Sequence, residues 1–152
     1  MDAPRPGQRL TAEHRQIDAG ITPLLGDDGD VPALQTALAL LRRHIHAEET
    51  VLFPALTQHG LAMPVFVMKR EHGLMWPLIA QLEAACAAGT EPATLREPAR
   101  RLFQLLQMHN GKEEQILYGA ADRLPPAAAA PLGDALAVAQ LPPDWRCELA
   151  PR

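Results

Sequence analysis

Apolar residues recur every three or four positions along most of the chain, and this period predicts α-helices with one buried face each. Between residues 31 and 58, between 64 and 88 and between 92 and 119, the apolar stripe of each segment runs without a long interruption. A first helix, opened by Thr11, offers a shorter stripe. The stripes are formed by Leu10, Ile17 and Ile21; by Leu34, Leu38, Leu41, Ile45, Leu52 and Leu56; by Val65, Met68, Met75, Ile79, Leu82 and Cys86; and by Leu95, Leu102, Leu106 and Ile116.

Helix-breaking residues separate these segments. Residues 26–30 form a Gly/Asp-rich loop in which Asp30 is a candidate N-cap, and proline follows at position 32, where the first helical turn accepts it. Further breaks fall at 59–60 and at 89–92. Four helices joined by short loops predict an all-α fold, an antiparallel up-down-up-down four-helix bundle over residues 1–124.

Histidine and glutamate interrupt the apolar stripes at similar depths in every helix. Since residues four apart lie about 40° apart around a helix, a histidine and the glutamate four positions later can address one centre. Counting from the loop centres, the polar residues of neighbouring helices differ in depth by at most about 3 Å. The predicted layer consists of His14, His44, Glu48, His72, His109 and Glu113.

Burying four imidazoles and two carboxylates without compensation costs several kcal/mol for each charge. Two metal ions among them would supply the compensation, so we predict that these six residues bind metal. Imidazole alone does not select among iron, zinc, copper and nickel, but carboxylates shared between two metals in a helical bundle favour iron or manganese. The alternative is a purely structural bundle. His46, on the face opposite His44, and His59, at a helix end, are predicted to be solvent-exposed.

Composition supports the helical prediction and narrows the function. The 152 residues include 26 Ala and 23 Leu against 17 Val, Ile and Thr together, a balance that favours helix. A formal net charge of -4 disfavours nucleic acid as a partner. No apolar run approaches the length that spans a bilayer, and no secretory signal is visible, so we expect a cytoplasmic protein without a membrane partner. Cys86 and Cys147 do not define a disulfide framework.

The chain also contains an internal repeat. Glu13-His14 corresponds to Glu71-His72, and the segment that starts His-Ile-His-Ala-Glu-Glu at His44 corresponds to the segment that starts His-Asn-Gly-Lys-Glu-Glu at His109. An apolar-aromatic step follows each pair of glutamates. Over residues 10–120 this arrangement resembles the hemerythrin-like HHE cation-binding family. The resemblance implies a non-haem di-iron centre, with two iron ions as cofactor, the six residues above as ligands and the glutamates as bridging carboxylates.

Two departures from oxygen-carrying hemerythrins bear on the site. Those proteins have a second histidine four residues after the one on the third helix, where this chain has Trp76. The position of their last carboxylate would select Glu114, whereas the internal repeat selects Glu113, which we prefer. Trp76 either walls the pocket or packs in the core. Tyr118, one turn beyond Glu113, is interpreted as a packing or capping residue, with a redox role as the alternative.

We therefore predict a protein that binds O2 or NO at an open metal position, for sensing, buffering or transfer. The alternatives are a di-iron enzyme (an oxidase, a peroxidase, or one that handles NO or repairs iron clusters) and an iron-handling sensor whose stability depends on metal. The iron-cluster repair proteins carry an N-terminal cysteine motif that is not seen before His14. Residues 125–152 are Pro/Ala-rich and are predicted to form an extension, with a short helix at about 127–140 and a loosely held tail.

Overall fold

The computed structural model describes residues 3–152, which contain helices and no strands. Two of the long helices continue through a π-helical turn into a shorter α-helical segment. The elements are α1 (Pro6–Leu25), α2 (Val31–Ala47), π1 (Glu48–Leu52), α3 (Phe53–Gln58), α4 (Ala62–Ala87), α5 (Pro92–Lys112), π2 (Glu113–Tyr118), α6 (Gly119–Asp122) and α7 (Pro126–Val138). The all-helical prediction is confirmed.

The helix ends follow from local sequence. The Asp30 carboxylate accepts a hydrogen bond from the Ala33 N–H at 3.0 Å and so caps α2, as predicted. Gly60 and Gly89 adopt φ of 87° and 73°, a left-handed conformation that favours glycine and that ends α3 and α4. Helix α1 begins earlier than expected, at Pro6 rather than near Thr11, and Pro23 does not shorten it.

The buried polar residues separate two apolar clusters along each long helix. In α1, for example, Leu10 belongs to one cluster and Ile17 to the other, and His14 lies between them. Helix α1 packs against α2 and α5, and α4 packs against both α2 and α5. The polar layer is therefore enclosed by helices at the sides and by apolar side chains above and below.

The two π-helical turns change which residues face the interior. A π-helix bonds residue i to i+5, so residues five apart share a face there. Tyr118, five residues after Glu113, is 2 % exposed, whereas Ile116 is 46 % exposed. The prediction that Ile116 belongs to the buried stripe is wrong, because that prediction assumed an α-helical period through residues 113–118.

The C-terminal tail, residues 139–152, packs on the helices. The prediction that it is loosely held is wrong. The Trp145 ring meets Trp76 edge-on at 5.5 Å between ring centroids and His46 at 4.9 Å. Cys147 is buried in the same cluster. His46 is consequently buried, contrary to prediction: it does face away from the metal-type residues, but the tail covers that face.

Glycine allows this tail to approach α4 closely. A Cβ atom at Gly73 would lie well inside van der Waals contact with the Leu149 carbonyl oxygen. Neither Gly73 nor Pro77 interrupts α4, which runs without a break from Ala62 to Ala87. Within residues 3–152, no helix combines the length and the apolar character needed to cross a membrane.

Candidate metal centre

The six predicted metal-type residues all meet in one buried layer. His14 comes from α1, His44 from α2, His72 from α4 and His109 from α5. Glu48 and Glu113 open the two π-helical turns and are fully buried. The cluster falls into two groups of four, and in each group one ligand-type atom per residue lies within 4.8 Å of the others.

The two groups share both glutamates, and we name them for their histidines. Subsite A consists of His14, His44, Glu48 and Glu113, and subsite B consists of His72, His109, Glu48 and Glu113. In subsite A, Nε2 of His14 lies 3.2 Å from Oε1 of Glu113. In subsite B, Nε2 of His72 lies 3.3 Å from Oε1 of Glu48, and Nε2 of His109 lies 3.1 Å from Oε1 of Glu113. All four histidines of the subsites point Nε2 inward.

The outward nitrogen of each histidine meets a second carboxylate. The Nδ1 atoms lie 2.6–3.3 Å from carboxylate oxygens, a geometry in which Nδ1–H donates and the lone pair of Nε2 would be available to a metal ion. Histidines that bind metal ions usually have such a partner, which orients the ring and raises its basicity. The pairs are His14 with Glu114, His44 with Glu13, His72 with Glu49 and His109 with Glu71.

These outer carboxylates repeat the twofold pattern of the sequence. Glu13 and Glu71 each precede an inward histidine and bind the histidine of the following helix. Glu49 and Glu114 each follow an inward glutamate. The structure thus places Glu113 inside the cluster and Glu114 outside it. Sequence reasoning missed this second layer, although the repeated Glu-His and Glu-Glu pairs were its signal.

A cation fits the centre because buried ligand-type atoms there lack hydrogen-bond partners. Nε2 of His72 and Oε2 of Glu113 are two such atoms at subsite B. The third is Oε1 of Glu48, which lies between the subsites, 3.3 Å from Nε2 of His72 and 3.4 Å from Nε2 of His44. Leaving a buried acceptor without a partner costs about 1–3 kcal/mol, and more if it is charged. A metal ion bound by these atoms would remove that cost.

The protonation of the metal-free cluster also shows a demand for positive charge. Burial alone would lower the pKa of His44, but the surrounding carboxylates, with Glu48 contributing most, together outweigh burial and raise that pKa to about 10. The carboxylates around His109, with Glu113 contributing most, raise its pKa against burial in the same way, again to about 10. Burial would raise the pKa of Glu48, yet His44 holds it well below the usual value. The imidazoles of His44 and His109 therefore hold protons where a cation would sit.

The remaining predicted residues lie in different surroundings. The Tyr118 hydroxyl group is at subsite A, 3.0 Å from Nε2 of His14. Trp76 packs in the core against Trp145, with the Arg42 guanidinium 4.4 Å from its ring centroid. His59 is exposed, as predicted.

The tail reaches the outer layer of subsite B. Glu49 accepts a hydrogen bond from Nδ1 of His72 at 2.6 Å and another from the Glu148 backbone N–H at 2.9 Å. Glu148 also pairs with Lys69 at 2.6 Å. A residue 35 positions beyond Glu113, the last inward glutamate, thus helps to orient a histidine of the centre.

Comparisons with known proteins agree with this site. Searches of curated proteins and of solved structures give no significant match. A family profile, the Hemerythrin HHE cation binding domain, matches residues 5–121, which include both subsites and all four outer carboxylates. The chain therefore belongs to the hemerythrin HHE cation-binding family.

Proposed function

We propose that this protein binds O2 or NO at a non-haem di-iron centre, for sensing, buffering or transfer of the diatomic molecule. The ligands in this proposal are His14, His44, Glu48, His72, His109 and Glu113, on an antiparallel up-down-up-down bundle of residues 1–124 that residues 125–152 extend. The observation that carries the proposal is the buried pair of shared glutamates among four imidazoles, each oriented by an outer carboxylate.

The donor set supports two ions and favours iron. Two groups of four ligand-type residues share both carboxylates, which suits a pair of cations bridged by glutamate. Imidazole with carboxylate is a donor set that iron accepts readily, whereas a closed structural zinc site would ordinarily contain cysteine. Neither Cys86 nor Cys147 is part of either group.

The chain's own residues prepare the centre for a small ligand. The two apolar clusters exclude bulk water. The outer carboxylates accept from Nδ1–H of each imidazole and so orient the ring with Nε2 towards the centre. Two iron ions would supply redox-active positions with incomplete coordination. A diatomic molecule suits this interior, because the six residues are at most 3 % exposed and leave no room for a large substrate to reach them.

The test is reconstitution of the metal-free full chain with Fe²⁺ under anaerobic conditions. We expect about two iron ions per chain by elemental analysis, and a change in the optical spectrum on titration with O2 or NO. His72→Ala should lose iron and the spectral response. His59→Ala, a variant of an exposed histidine outside the cluster, should behave as the unmodified chain.

Two results would contradict the proposal. A chain that binds no iron after reconstitution would exclude the di-iron centre. A chain that binds iron but gives no spectral response to either gas would exclude the binding function while leaving the metal centre intact.

A further inference from the structure

The internal repeat places two different aromatic residues at matching positions beside the centre. Phe53 lies five residues after Glu48, and Tyr118 lies five residues after Glu113. The π-helical turns that begin at the glutamates direct both side chains inward, and both are buried. Phe53 stacks on His72 of subsite B, with 5.6 Å between ring centroids and 14° between planes. It presents only carbon and hydrogen to that subsite.

Tyr118 instead brings an oxygen atom into subsite A. Its hydroxyl oxygen lies 2.6 Å from Oε2 of Glu48 and 3.3 Å from Oε1 of Glu113. The same oxygen lies 3.0 Å from Nε2 of His14 and 3.2 Å from Nε2 of His44. It therefore contacts all four residues of subsite A.

A neutral phenol cannot donate fully to both glutamates. It has one hydrogen to donate, and its short contact with Glu48 uses that hydrogen. The Glu113 oxygen at 3.3 Å then receives no hydrogen from the phenol. A cation could be bound by all of these atoms. The Nε2 atoms of the two histidines, the two carboxylate oxygens and the phenol oxygen could each donate a lone pair to it.

We propose that Tyr118 is a fifth protein ligand of the metal ion in subsite A, bound through its phenolate oxygen. This proposal rests on the metal centre of the proposed function. On binding, the O–H bond breaks, the proton is released to solvent and the oxygen–metal bond forms, without any change of oxidation state. Tyrosine phenolate is an oxygen donor that iron accepts in proteins.

The consequence is a centre with two unequal halves. Subsite A has five protein donors, whereas subsite B has four, since Phe53 offers none. Two buried atoms without hydrogen-bond partners, Nε2 of His72 and Oε2 of Glu113, also face subsite B. With one protein donor fewer, subsite B is the half that leaves a metal position for an incoming O2 or NO, and the added negative oxygen in subsite A favours a trivalent ion there.

The test uses the fact that Tyr118 is the only tyrosine in the chain. The metal-free full chain is titrated with Zn²⁺ at neutral pH, while bound zinc and near-ultraviolet tyrosinate absorption are measured together. We expect the signal of about one tyrosinate per chain when zinc fills the centre. The ferric protein should show a visible phenolate-to-iron charge-transfer band with tyrosinate vibrations in resonance Raman spectra.

Matched variants exchange the two aromatic residues. Tyr118→Phe should keep iron in subsite B and lose both tyrosinate signals, and Phe53→Tyr should add a second tyrosinate. Stoichiometric zinc or iron without any tyrosinate signal in the unmodified chain would overturn the phenolate ligand and leave the metal centre standing. A chain that binds neither metal would overturn both proposals. The zinc titration needs no variant, so it decides the matter even if a variant does not fold.

Discussion

Subsites A and B are built from the two halves of one repeat, and they share Glu48 and Glu113, yet their surroundings differ. In subsite A, the Tyr118 hydroxyl lies 3.0 and 3.2 Å from Nε2 of the two histidines, and the outer Glu114 side chain is 30 % exposed. In subsite B, Phe53 packs on His72, and the outer Glu49 side chain is only 4 % exposed beneath the tail. The repeat thus supplies the same donors twice, while single neighbouring residues place an oxygen atom beside one half and an apolar ring beside the other.

The largest expected effect on metal binding comes from replacing a glutamate that both subsites share. Glu113→Ala should abolish metal binding in both subsites, because it removes an oxygen donor from each. Glu114→Ala should only weaken binding at subsite A, by about 10–100-fold, the usual effect of losing an outer partner of a metal-binding histidine. Elemental analysis and metal titration of both variants measure the difference. If Glu113→Ala retained two metal ions, Glu113 would not be a carboxylate that both subsites need.

A pH dependence should follow from the raised histidine pKa values, because each subsite contains a histidine whose pKa is raised to about 10. His44 and His109 have pKa values of about 10 in the metal-free fold, above their ordinary 6.5. Their protonation therefore stabilises the metal-free protein fully below about pH 6.5, and this stabilisation is lost as the pH rises to about 10.

Thermal unfolding at pH 7 and at pH 10 tests this expectation. The Tm of the metal-free protein should fall strongly, and the metal-loaded protein should be less affected, because bound metal already replaces the protons. Equal Tm values for the metal-free protein at both pH values would contradict the raised pKa values.

Loosening the tail should have a smaller effect, and it should lower metal affinity at subsite B without changing it at subsite A. Gly73→Ala places a methyl group against the Leu149 carbonyl, so the tail should detach from α4 and release Glu49. Cys147 is buried in the unmodified chain. In the variant it should react with a thiol reagent about tenfold faster or more, which corresponds to a decrease of about 1.4 kcal/mol in the free energy of opening the tail. Metal affinity should fall at subsite B alone.

Cys86 is the internal control for that variant, because it is buried in the same apolar cluster but lies on α4 itself rather than on the tail. Equal acceleration at both cysteines would indicate general unfolding, and an unchanged rate at Cys147 would show that the tail accommodates the methyl group.

The smallest effect is expected at His46. His46→Ala removes the edge-on contact with Trp145 and should lower the free energy of unfolding by about 1 kcal/mol. Metal content should not change, because His46 belongs to neither subsite. Chemical denaturation of this variant beside His59→Ala, which should be neutral, measures the contribution. A loss of metal in His46→Ala would show that its ring affects the centre.

The limits of sequence reasoning are visible at particular residues. The inward positions of His14, His44, His72 and His109 follow from helical periodicity, which is a local property of the chain. Ile116 and Tyr118 could not be placed in the same way, because a π-helical turn alters the period and an α-helical count then puts the wrong residue inside. His46 was assigned to the correct face, but the sequence does not show that Trp145 covers it.

The sequence by itself determined the helices, their breaks and the depth of the polar layer, since these depend on spacing along one segment. Only the tertiary structure decided which carboxylate meets which imidazole, that Tyr118 and not Phe53 brings an oxygen to the centre, and that the tail secures Glu49. Those contacts join residues up to about a hundred positions apart, and their formation depends on how the helices pack.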